Sequence, residues 1–322
     1  MALSNYSASM NPLLTQYGVD WVNRNKDSYV GLQIAPIVPV TQQQAHYPVF
    51  DLASAGGDIN KPRAPGEESV GGIMKMSQDT YLTRREDGHW DVPTDNLLSA
   101  AAEGAASLAL LEASASERAM AASMLRLEKR IVSKIASGIW STTKTGTTNF
   151  VKWSDAASNP VADVRAWKLA QRYLVGPGYE PTHLVLADMV VTNLLASNAE
   201  IKDRVKYTSR SISLDIISEL LGVRVIEVKA SEITSSPGDA TTTGASVLTT
   251  DNGLLLYVNP TINQYVPSAL RTFGLSIDGR RDGVGVTSFP IPERIIQRFE
   301  GSLAVDVKVV DPALGVFITD IL

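Results

Sequence analysis

The sequence predicts an α+β fold, and three segments of the chain support this prediction. An alanine-rich segment at residues 96–138 is typical of one long helix, because alanine has the highest helix propensity. From Pro181 onwards, short apolar runs alternate with helical patterns. Residues 303–309 alternate large apolar side chains with smaller or charged ones, which indicates a half-buried strand. With 322 residues, the chain has room for two domains.

Composition excludes several classes of protein. The chain contains no cysteine, which excludes disulfides, zinc sites built on thiolates and cysteine nucleophiles. The first residues lack the basic and apolar regions of a signal peptide, and no segment approaches the ~20 apolar residues of a membrane-spanning helix. The net charge is −5 with no basic stripe, which argues against tight direct binding to nucleic acid. We therefore expect a folded protein that is made and used in a cytosol.

Residues 1–45 are polar with scattered apolar side chains such as Trp21, and they show no clear periodicity. Pro36 and Pro39 favour extended backbone. Two interpretations are open: a terminal segment that docks on its own domain, or an arm that lies across a neighbouring subunit.

Residues 46–93 have the pattern of a long two-stranded loop. A strand is predicted at residues 46–50 and a second run at residues 73–82, with a polar segment at residues 60–68 between them. An isolated hairpin is only marginally stable in water. The loop therefore either packs on a neighbouring subunit or forms a simple surface flap.

The long helix has clear sequence signals. Thr94 or Asp95 is predicted as its N-cap, and Gly104 interrupts its first turns. Arg126 and Arg130 are expected to face away from the apolar stripe. A helix of up to ~40 residues would span ~60 Å, longer than a domain of this size needs. The stripe has spacings of three and four residues and consists of Met120, Met124, Leu127, Ile131 and Ile135.

Shorter elements follow the long helix. Asp188 and Ser213 are predicted to cap helices, and Asp278 and Asp282 mark turns. A helix is predicted at residues 164–174. Strands are predicted at residues 184–187, 223–228 and 254–258.

A search for catalytic motifs finds none. The pattern Gly283-Val-Gly285 is too short for a dinucleotide-binding loop, and a turn explains it better. Asp278 and Asp282 each precede glycine, so turn chemistry explains them better than a shared cation. No acid and nucleophile stand at suggestive spacing from any histidine (His46, His89 and His183). We predict no catalytic residue, no cofactor and no metal site.

The order of these segments resembles the major capsid protein family of tailed bacteriophages, whose Hong Kong 97-type fold is shared with encapsulins. The most specific local likeness is Trp153-x-Asp155, followed by Asn159-Pro160 and Asp163. The likeness continues through residues 178–186, a short helix ending at Asn198, and residues 201–207, 220–223 and 256–258. The order of segments covers essentially the whole chain.

The resemblance implies a division of the chain into named regions. These are an N-terminal arm (1–45), an extended two-stranded loop (46–93), a peripheral domain with a spine helix (94–180), an axial α/β domain (181–290) and a return strand of the peripheral domain (291–322).

The resemblance also implies hexamers and pentamers that close into an icosahedral shell around double-stranded DNA, assembled in a host bacterial cytoplasm. A portal and weak, non-specific contact with the packaged DNA are implied too. Because no long helical leader precedes the arm, we expect either that a separate scaffolding protein guides assembly or that a leader is missing from this sequence. The arm and the loop would both cross subunit boundaries, and the candidate interface residues are Arg84, Arg85, Glu86, Asp87, Trp21, Arg126 and Arg130.

Two other functions are weighed against this one. An encapsulin-like compartment shell has the same fold, and a cytosolic hydrolase would need a serine, His183 and an acid brought together by folding. A shell subunit forms very large particles, whereas an enzyme forms a monomer or a small closed oligomer. For the capsid interpretation, we expect deletion of residues 1–40 to leave a folded subunit that assembles poorly.

Overall fold

The computed structural model describes residues 12–25, 27–52, 61–69, 71, 73, 75–206, 212–233, 243–248, 250–276 and 283–322. The turns predicted at Asp278 and Asp282 lie outside the described residues. The helices are α1 (Pro12–Arg24), α2 (Gly31–Ile34), α3 (Thr94–Glu103), α4 (Ala105–Ile135), α5 (Pro160–Val175), α6 (Asp188–Ser197), α7 (Ala199–Val205) and α8 (Leu214–Leu221).

Strands are numbered separately in chain order. They are β1 (Ile37–Val40), β2 (Gln44–Phe50), β3 (Met76–Leu82), β4 (Arg84–Pro93), β5 (Thr142–Thr145), β6 (His183–Ala187), β7 (Arg224–Val228), β8 (Ser231–Ile233), β9 (Gly244–Ser246), β10 (Gly253–Leu256), β11 (Leu270–Leu275), β12 (Val284–Ile291), β13 (Ile296–Val309) and β14 (Gly315–Thr319). The predicted α+β class is confirmed.

The chain divides into two compact units, and each unit is built from three separate segments. The first unit contains residues 1–45, 81–131 and 272–308. The second unit contains residues 46–80, 132–271 and 309–322. The chain therefore passes between the units several times.

The sheet of the first unit has the strand order β1-β11-β13-β12, and β4 pairs with β13 as well. The strand predicted at residues 303–309 is the second half of β13. β12 and β4 are both antiparallel to β13, with Ile291 and Pro93 each opposite Ile296. Within the predicted loop, β2 and β3 pair as expected, but β4 belongs to this sheet and not to the loop.

The long helix is confirmed, with the predicted interruption at Gly104. This glycine has a φ of +138° and separates α3 from α4, which is 31 residues long. All five stripe residues are at most 1% exposed. The capping prediction is wrong: Thr94 is the first helical residue, and the cap position is Pro93, with no side-chain hydrogen bond. Instead, the Thr94 amide donates to the carbonyl of Ile295, 3.0 Å away in the β12–β13 turn.

Residues 12–40 dock on their own unit, which is the first of the two interpretations of the amino-terminal segment. α1 packs on β12, where the Val286 amide donates to the Thr15 hydroxyl at 3.1 Å. β1 joins the sheet parallel to β11, with Ile37 opposite Thr272. The sequence lacked a readable period here because only one face of a single short helix is covered.

The second unit is built around the sheet β5-β14-β10-β6-β7. β10 is apolar and buried along its whole length, and β6 is apolar and buried from Leu184 to Ala187, as expected of strands covered on both faces. The predicted strands at residues 184–187, 223–228 and 254–258 are confirmed as β6, β7 and β10, with small shifts of their ends. β14 was not predicted from the sequence.

Two helix starts in the second unit differ in detail from the prediction. Ser213 occupies the cap position of α8, but its side chain makes no capping hydrogen bond. Asp188 is the first residue of α6, and the cap position is Ala187, so the prediction of Asp188 as a cap is wrong. Among the described residues, no helix is both long and apolar enough to span a membrane.

Candidate functional site

The charged residues predicted as interface candidates lie on β4 and the spine helix of the first unit. Because alternate residues of β4 point to opposite faces of the sheet, these residues and their partners form a charged surface around the strand. We call this surface the β4–β13 charge network and define it as Arg85, Glu86, Asp87, Arg126, Arg130, Glu300 and Asp306. Strand β4 supplies the first three residues, the spine helix α4 the two arginines, and β13 the last two carboxylates. Adjacent strands and a crossing helix thus bring together side chains that are up to 221 positions apart (306 − 85).

Glu86 is the centre of this network. Its Oε2 is 3.0 Å from Nε of Arg126, and its Oε1 is 3.8 Å from the Arg130 guanidinium. Arg130 also reaches Asp306 at 3.6 Å and donates to the carbonyl of Val305 at 3.1 Å. The spine helix is therefore bound to both strands through charged hydrogen bonds.

A second set of contacts extends the network along β4. Arg85 pairs with Asp87 at 2.7 Å and with Glu300 at 3.4 Å. These contacts raise the pKa of the Arg85 guanidinium, with the hydrogen bond to Asp87 as the largest cause. Further along the strands, Arg298 holds Asp91 with two hydrogen bonds of 2.7 and 2.8 Å, and this contact lowers the pKa of the Asp91 carboxyl.

The network is open to solvent. The side chains of Arg126 and Arg85 are 60% and 50% exposed, and Arg84 is exposed at the start of β4. A groove of about 350 Å³ runs beside Glu86 and Arg126. Exposed ion pairs each stabilise a fold by only about 0–1 kcal/mol. The predicted cluster therefore has partners within its own chain, and its contact with a neighbouring subunit stays a prediction.

The remaining candidate, Trp21, lies half-buried on α1. Its ring centroid is 5.7 Å from that of Tyr29, and its backbone carbonyl accepts a hydrogen bond from the Asn25 side chain at 2.9 Å. These contacts hold Trp21 within its own unit.

Glu128 is the most unusual charged residue of the first unit, and the sequence analysis missed it. It is 2% exposed and lies at the edge of the apolar stripe of α4. Oε2 accepts a hydrogen bond from the Gly31 amide at 2.8 Å, whereas Oε1 has no hydrogen-bond partner among the described residues. Burial raises the pKa of this carboxyl to about 7, and the carboxyl in turn helps to raise the pKa of Tyr29. Its position four residues after Met124 and three before Ile131 was the available sequence signal.

Gly31 is required at this contact. A Cβ atom there would lie 2.6 Å from Oε2 of Glu128 and 2.7 Å from Cδ1 of Ile131. The carboxylate thus binds the start of α2 directly to the spine helix.

In the second unit, the tryptophan motif builds an aromatic cluster. Trp153 is 1% exposed and stacks on Trp167 with ring centroids 6.0 Å apart, while Phe150 meets the Trp167 ring edge-on at 5.2 Å. The indole N–H of Trp153 donates to Asp163 at 3.1 Å. Burial is the main cause of the raised pKa of the Asp163 carboxyl.

The two asparagines of the motif cap helices around this cluster. Asn159 accepts from the Ala162 amide at 3.0 Å at the start of α5, and Asn198 accepts from the Ile201 amide at 3.2 Å at the start of α7. The Asn198 amide group also donates to the Trp153 carbonyl at 3.1 Å. The motif residues therefore act on the fold, and no substrate group is needed to explain them.

The histidines have contacts that do not resemble a catalytic triad. His183 lies 2.7 Å from the Thr182 hydroxyl, and burial, together with Arg224 opposite it on β7, lowers its pKa to about 4. His89 is exposed, 3.8 Å from Asp91, whose carboxylate Arg298 already holds. Within the part of the chain that the structure describes, no three acidic or histidine side chains are grouped to hold a metal ion.

Comparisons with known proteins give fold relatives only. No protein-family model and no curated protein matches the sequence. A phage-related protein from Bordetella bronchiseptica RB50 has a similar structure, with a TM-score of 0.72 and 18% identity over 97% of this chain and 98% of that chain.

Two other solved structures are similar over most of the chain. An encapsulin from Synechococcus elongatus PCC 7942 has a TM-score of 0.53 and 12% identity, over 99% of this chain and 92% of that chain. The capsid protein of cyanophage P-SCSP1u has a TM-score of 0.51 and 12% identity, over 88% and 86% respectively.

These likenesses define the class of fold. The chain has the Hong Kong 97-type capsid fold, which phage capsid proteins and encapsulins share. A cyanophage capsid protein and an encapsulin both match this chain with TM-scores above 0.5, so the fold expected from the sequence is confirmed.

Proposed function

We propose that this protein is the major capsid protein of a tailed bacteriophage, a structural subunit and not an enzyme. Copies assemble as hexamers and pentamers into an icosahedral shell around double-stranded DNA, in the cytoplasm of a bacterial host. The observation that carries the proposal is the capsid fold itself, which matches a phage-related protein, a cyanophage capsid protein and an encapsulin over 98%, 86% and 92% of their lengths.

Two exposed segments of the chain support a role in a shell. The helix α3, which precedes α4 in the predicted spine helix, has no buried residue although its sequence is rich in alanine and leucine. The segment 61–69 between β2 and β3 is exposed at every position. A free monomer gains little from such surfaces, whereas a shell subunit uses them for contacts with its neighbours.

The proposal includes further partners and regions. A separate scaffolding protein and a portal would guide assembly, and the shell would contact packaged DNA weakly and without sequence preference. Residues 1–45 would form the arm and residues 46–82 the extended loop, because β4 pairs with β13. The peripheral domain would contain the spine helix and residues 272–308, and the axial domain would contain the sheet β5-β14-β10-β6-β7. The β4–β13 charge network, Arg84 and Trp21 would lie at or near subunit boundaries.

An encapsulin-like compartment is the second candidate, because an encapsulin has the same fold with a TM-score of 0.53. The two functions differ in what the shell needs and encloses. An encapsulin-like shell closes without a partner protein and encloses other proteins, whereas a phage shell of this kind needs its scaffold.

The test is size-exclusion chromatography with light scattering on the purified chain, followed by negative-stain microscopy of the leading peak. We expect shells, tubes or free hexamers. Shells of one uniform size formed by the chain alone would favour the encapsulin-like function. A monomer or dimer at every concentration, with and without phage lysate, would contradict both shell functions.

A further inference from the structure

Two helix faces of this chain expose apolar side chains, and the charged side chains on the two faces are of opposite sign. The first, which we call the acidic spine face, is the surface of α3 and of the first turns of α4, residues 94–112. The second, which we call the basic α5 face, is centred on Leu169 and Tyr173 of α5. No described residue buries the apolar side chains at the centre of either face.

The acidic spine face needs a partner to be stable. α3 has ten residues and none of them is buried, and an isolated helix shorter than about 12–15 residues is marginal in water. Leu98 is 63% exposed and Leu110 is 71% exposed. Every charged residue from position 94 to position 112 is acidic, namely Asp95, Glu103 and Glu112. Among the described residues, none of these three carboxylates forms an ion pair.

The basic α5 face has the complementary properties. Arg165, Leu169, Arg172 and Tyr173 have the spacing of one helix face. Tyr173 is 79% exposed and Leu169 is 47% exposed. Every charged residue from position 164 to position 179 is basic, and the third base is Lys168.

The basic side chains retain capacity for a partner. Arg172 pairs with Glu180 at 3.3 Å and Lys168 donates to the Gly222 carbonyl at 2.8 Å, but both remain beside an open groove of about 460 Å³. Arg165 makes no ion pair with any described residue. Tyrosine and arginine are also the residue types that most often dominate binding energy at protein interfaces.

We propose that the basic α5 face of one copy packs against the acidic spine face of a second copy. The two faces have complementary charges, and each exposes apolar side chains, leucines on the acidic spine face and Leu169 with Tyr173 on the basic α5 face. This complementarity selects a second copy of this chain as the occupant. Because the two faces differ, the contact is heterologous, and its repetition closes a ring when the rotation between neighbouring copies divides a full turn. The inference rests on the proposed function, for which it supplies a contact within hexamers and pentamers.

Charge reversal tests the pairing. We expect the double variant Arg165→Glu with Arg172→Glu to lower the yield of particles at least about tenfold, because it opposes like charges across the contact. The double variant Glu103→Arg with Glu112→Arg should do the same. A chain that carries all four substitutions should recover most of the particle yield. The matched control is Lys202→Glu with Arg204→Glu on α7, which makes the same change of charge on exposed residues outside both faces and should assemble normally.

A second measurement uses the unaltered protein, so that it does not depend on the folding of any variant. Carbodiimide joins lysine amines to carboxylates that touch them, and Lys168 is the one lysine of α5. Treated particles should yield a peptide that links Lys168 to Glu103, Glu112 or Asp95, and dissociated subunits should not. Circular dichroism and thermal unfolding of each variant would verify that the subunits are folded.

The outcomes separate the inference from the proposed function. The inference would be overturned if both charge-reversal variants formed particles in the same yield as the wild type. It would also be overturned if the chain with all four substitutions did not recover the yield. In both cases the capsid function would stand. Absence of the Lys168 cross-link from wild-type particles would also count against the inference. Failure of the wild-type chain to form any particle, both alone and with phage lysate, would overturn the capsid function, and the inference with it.

Discussion

Glu128 makes the stability of the first unit depend on pH. Its carboxyl is buried, and its pKa is raised from an ordinary 4.5 to about 7. Between these two values the folded chain holds a proton that the unfolded chain has released. The contribution of Glu128 to the free energy of unfolding is therefore fully present below pH ~4.5 and is lost as pH rises through about 7, a change of about 3 kcal/mol.

The variant Glu128→Gln isolates this effect. The amide oxygen can still accept from Gly31, but the side chain no longer titrates. From pH 5 to pH 8, the unfolding free energy of the wild-type subunit should fall by about 2 kcal/mol relative to that of the variant. Urea unfolding of dissociated subunits measures the difference. Glu103→Gln is the control, because Glu103 is exposed on α3 and forms no ion pair with a described residue. Parallel pH profiles of wild type and Glu128→Gln would show that the carboxyl is ordinary.

Gly301 marks the closest approach of β13 to the spine helix. A Cβ atom at this position would lie 2.7 Å from the backbone carbonyl oxygen of Ala119, and the Ser123 hydroxyl donates to the Gly301 carbonyl at 3.0 Å. Because a backbone atom cannot move away as a side chain can, Gly301→Ala should lower the unfolding free energy by about 1–3 kcal/mol.

Gly71 provides the matched control for this substitution. It is exposed, and a Cβ atom there would meet nothing within 4 Å. Gly71→Ala should be neutral, or slightly stabilising through the unfolded state. Urea unfolding measures the loss of stability in both variants. Equal losses would mean that β13 moves away from the spine helix at little cost in free energy.

Elements with a local signal were predictable from the sequence, and those that depend on distant partners were not. The apolar stripe of α4 repeats over four turns, and Gly104 is a poor helix former just before the first residue of α4. Both the stripe and the interruption were therefore predicted from the sequence. α1 is covered on one face by β12, more than 270 positions away, and its apolar residues did not reveal this. β14 follows a turn at Pro312 and is only five residues long, which is too short for a period.

The candidate site divides in the same way. The charged run that contains Glu86 is visible as adjacent letters, but its pairing with Arg126 and Arg130 depends on how β4 crosses the spine helix. Glu128 looked like one more charge on a solvated helix, and only the packing of α2 against it shows that it is buried. Sequence patterns therefore indicated which charges cluster, whereas their partners are tertiary.

Truncation at the amino terminus tests the role of α1 and β1. The structure corrects the expectation that a chain without residues 1–40 stays folded, because this deletion removes the cover of β12, the parallel partner of β11 and the α2 contact with Glu128. We expect that chain to be insoluble or unfolded by circular dichroism. A chain without residues 1–11 should fold like the wild type, and its particle yield then measures what this short segment contributes to assembly. A soluble, cooperatively unfolding chain without residues 1–40 would show that the sheet needs neither α1 nor β1.

On the scale of the whole molecule, each compact unit is closed by three separate stretches of chain. The strands of one sheet therefore come from distant positions, as β4 and β13 do, and neither unit can form before most of the chain is available. Pairings of such high sequence separation slow folding and expose unpaired edges while it proceeds. The proposed shell subunit also has surfaces that only a neighbouring subunit covers, and these surfaces stay exposed to solvent until assembly.

The charge of the whole molecule leads to a last prediction, about DNA. The net charge is −5, and many of the basic residues of the first unit are held by carboxylates, as Arg126 and Arg298 are. Binding to duplex DNA requires several unpaired Lys or Arg side chains along one track, and its affinity falls steeply with salt. Dissociated subunits at about 10 µM should therefore leave the anisotropy of a labelled 30-base-pair duplex unchanged at about 150 mM salt, with at most weak binding at about 50 mM. Micromolar affinity that persists at about 200 mM salt would reveal a basic track and would mean that the subunit itself holds the genome, instead of only enclosing it.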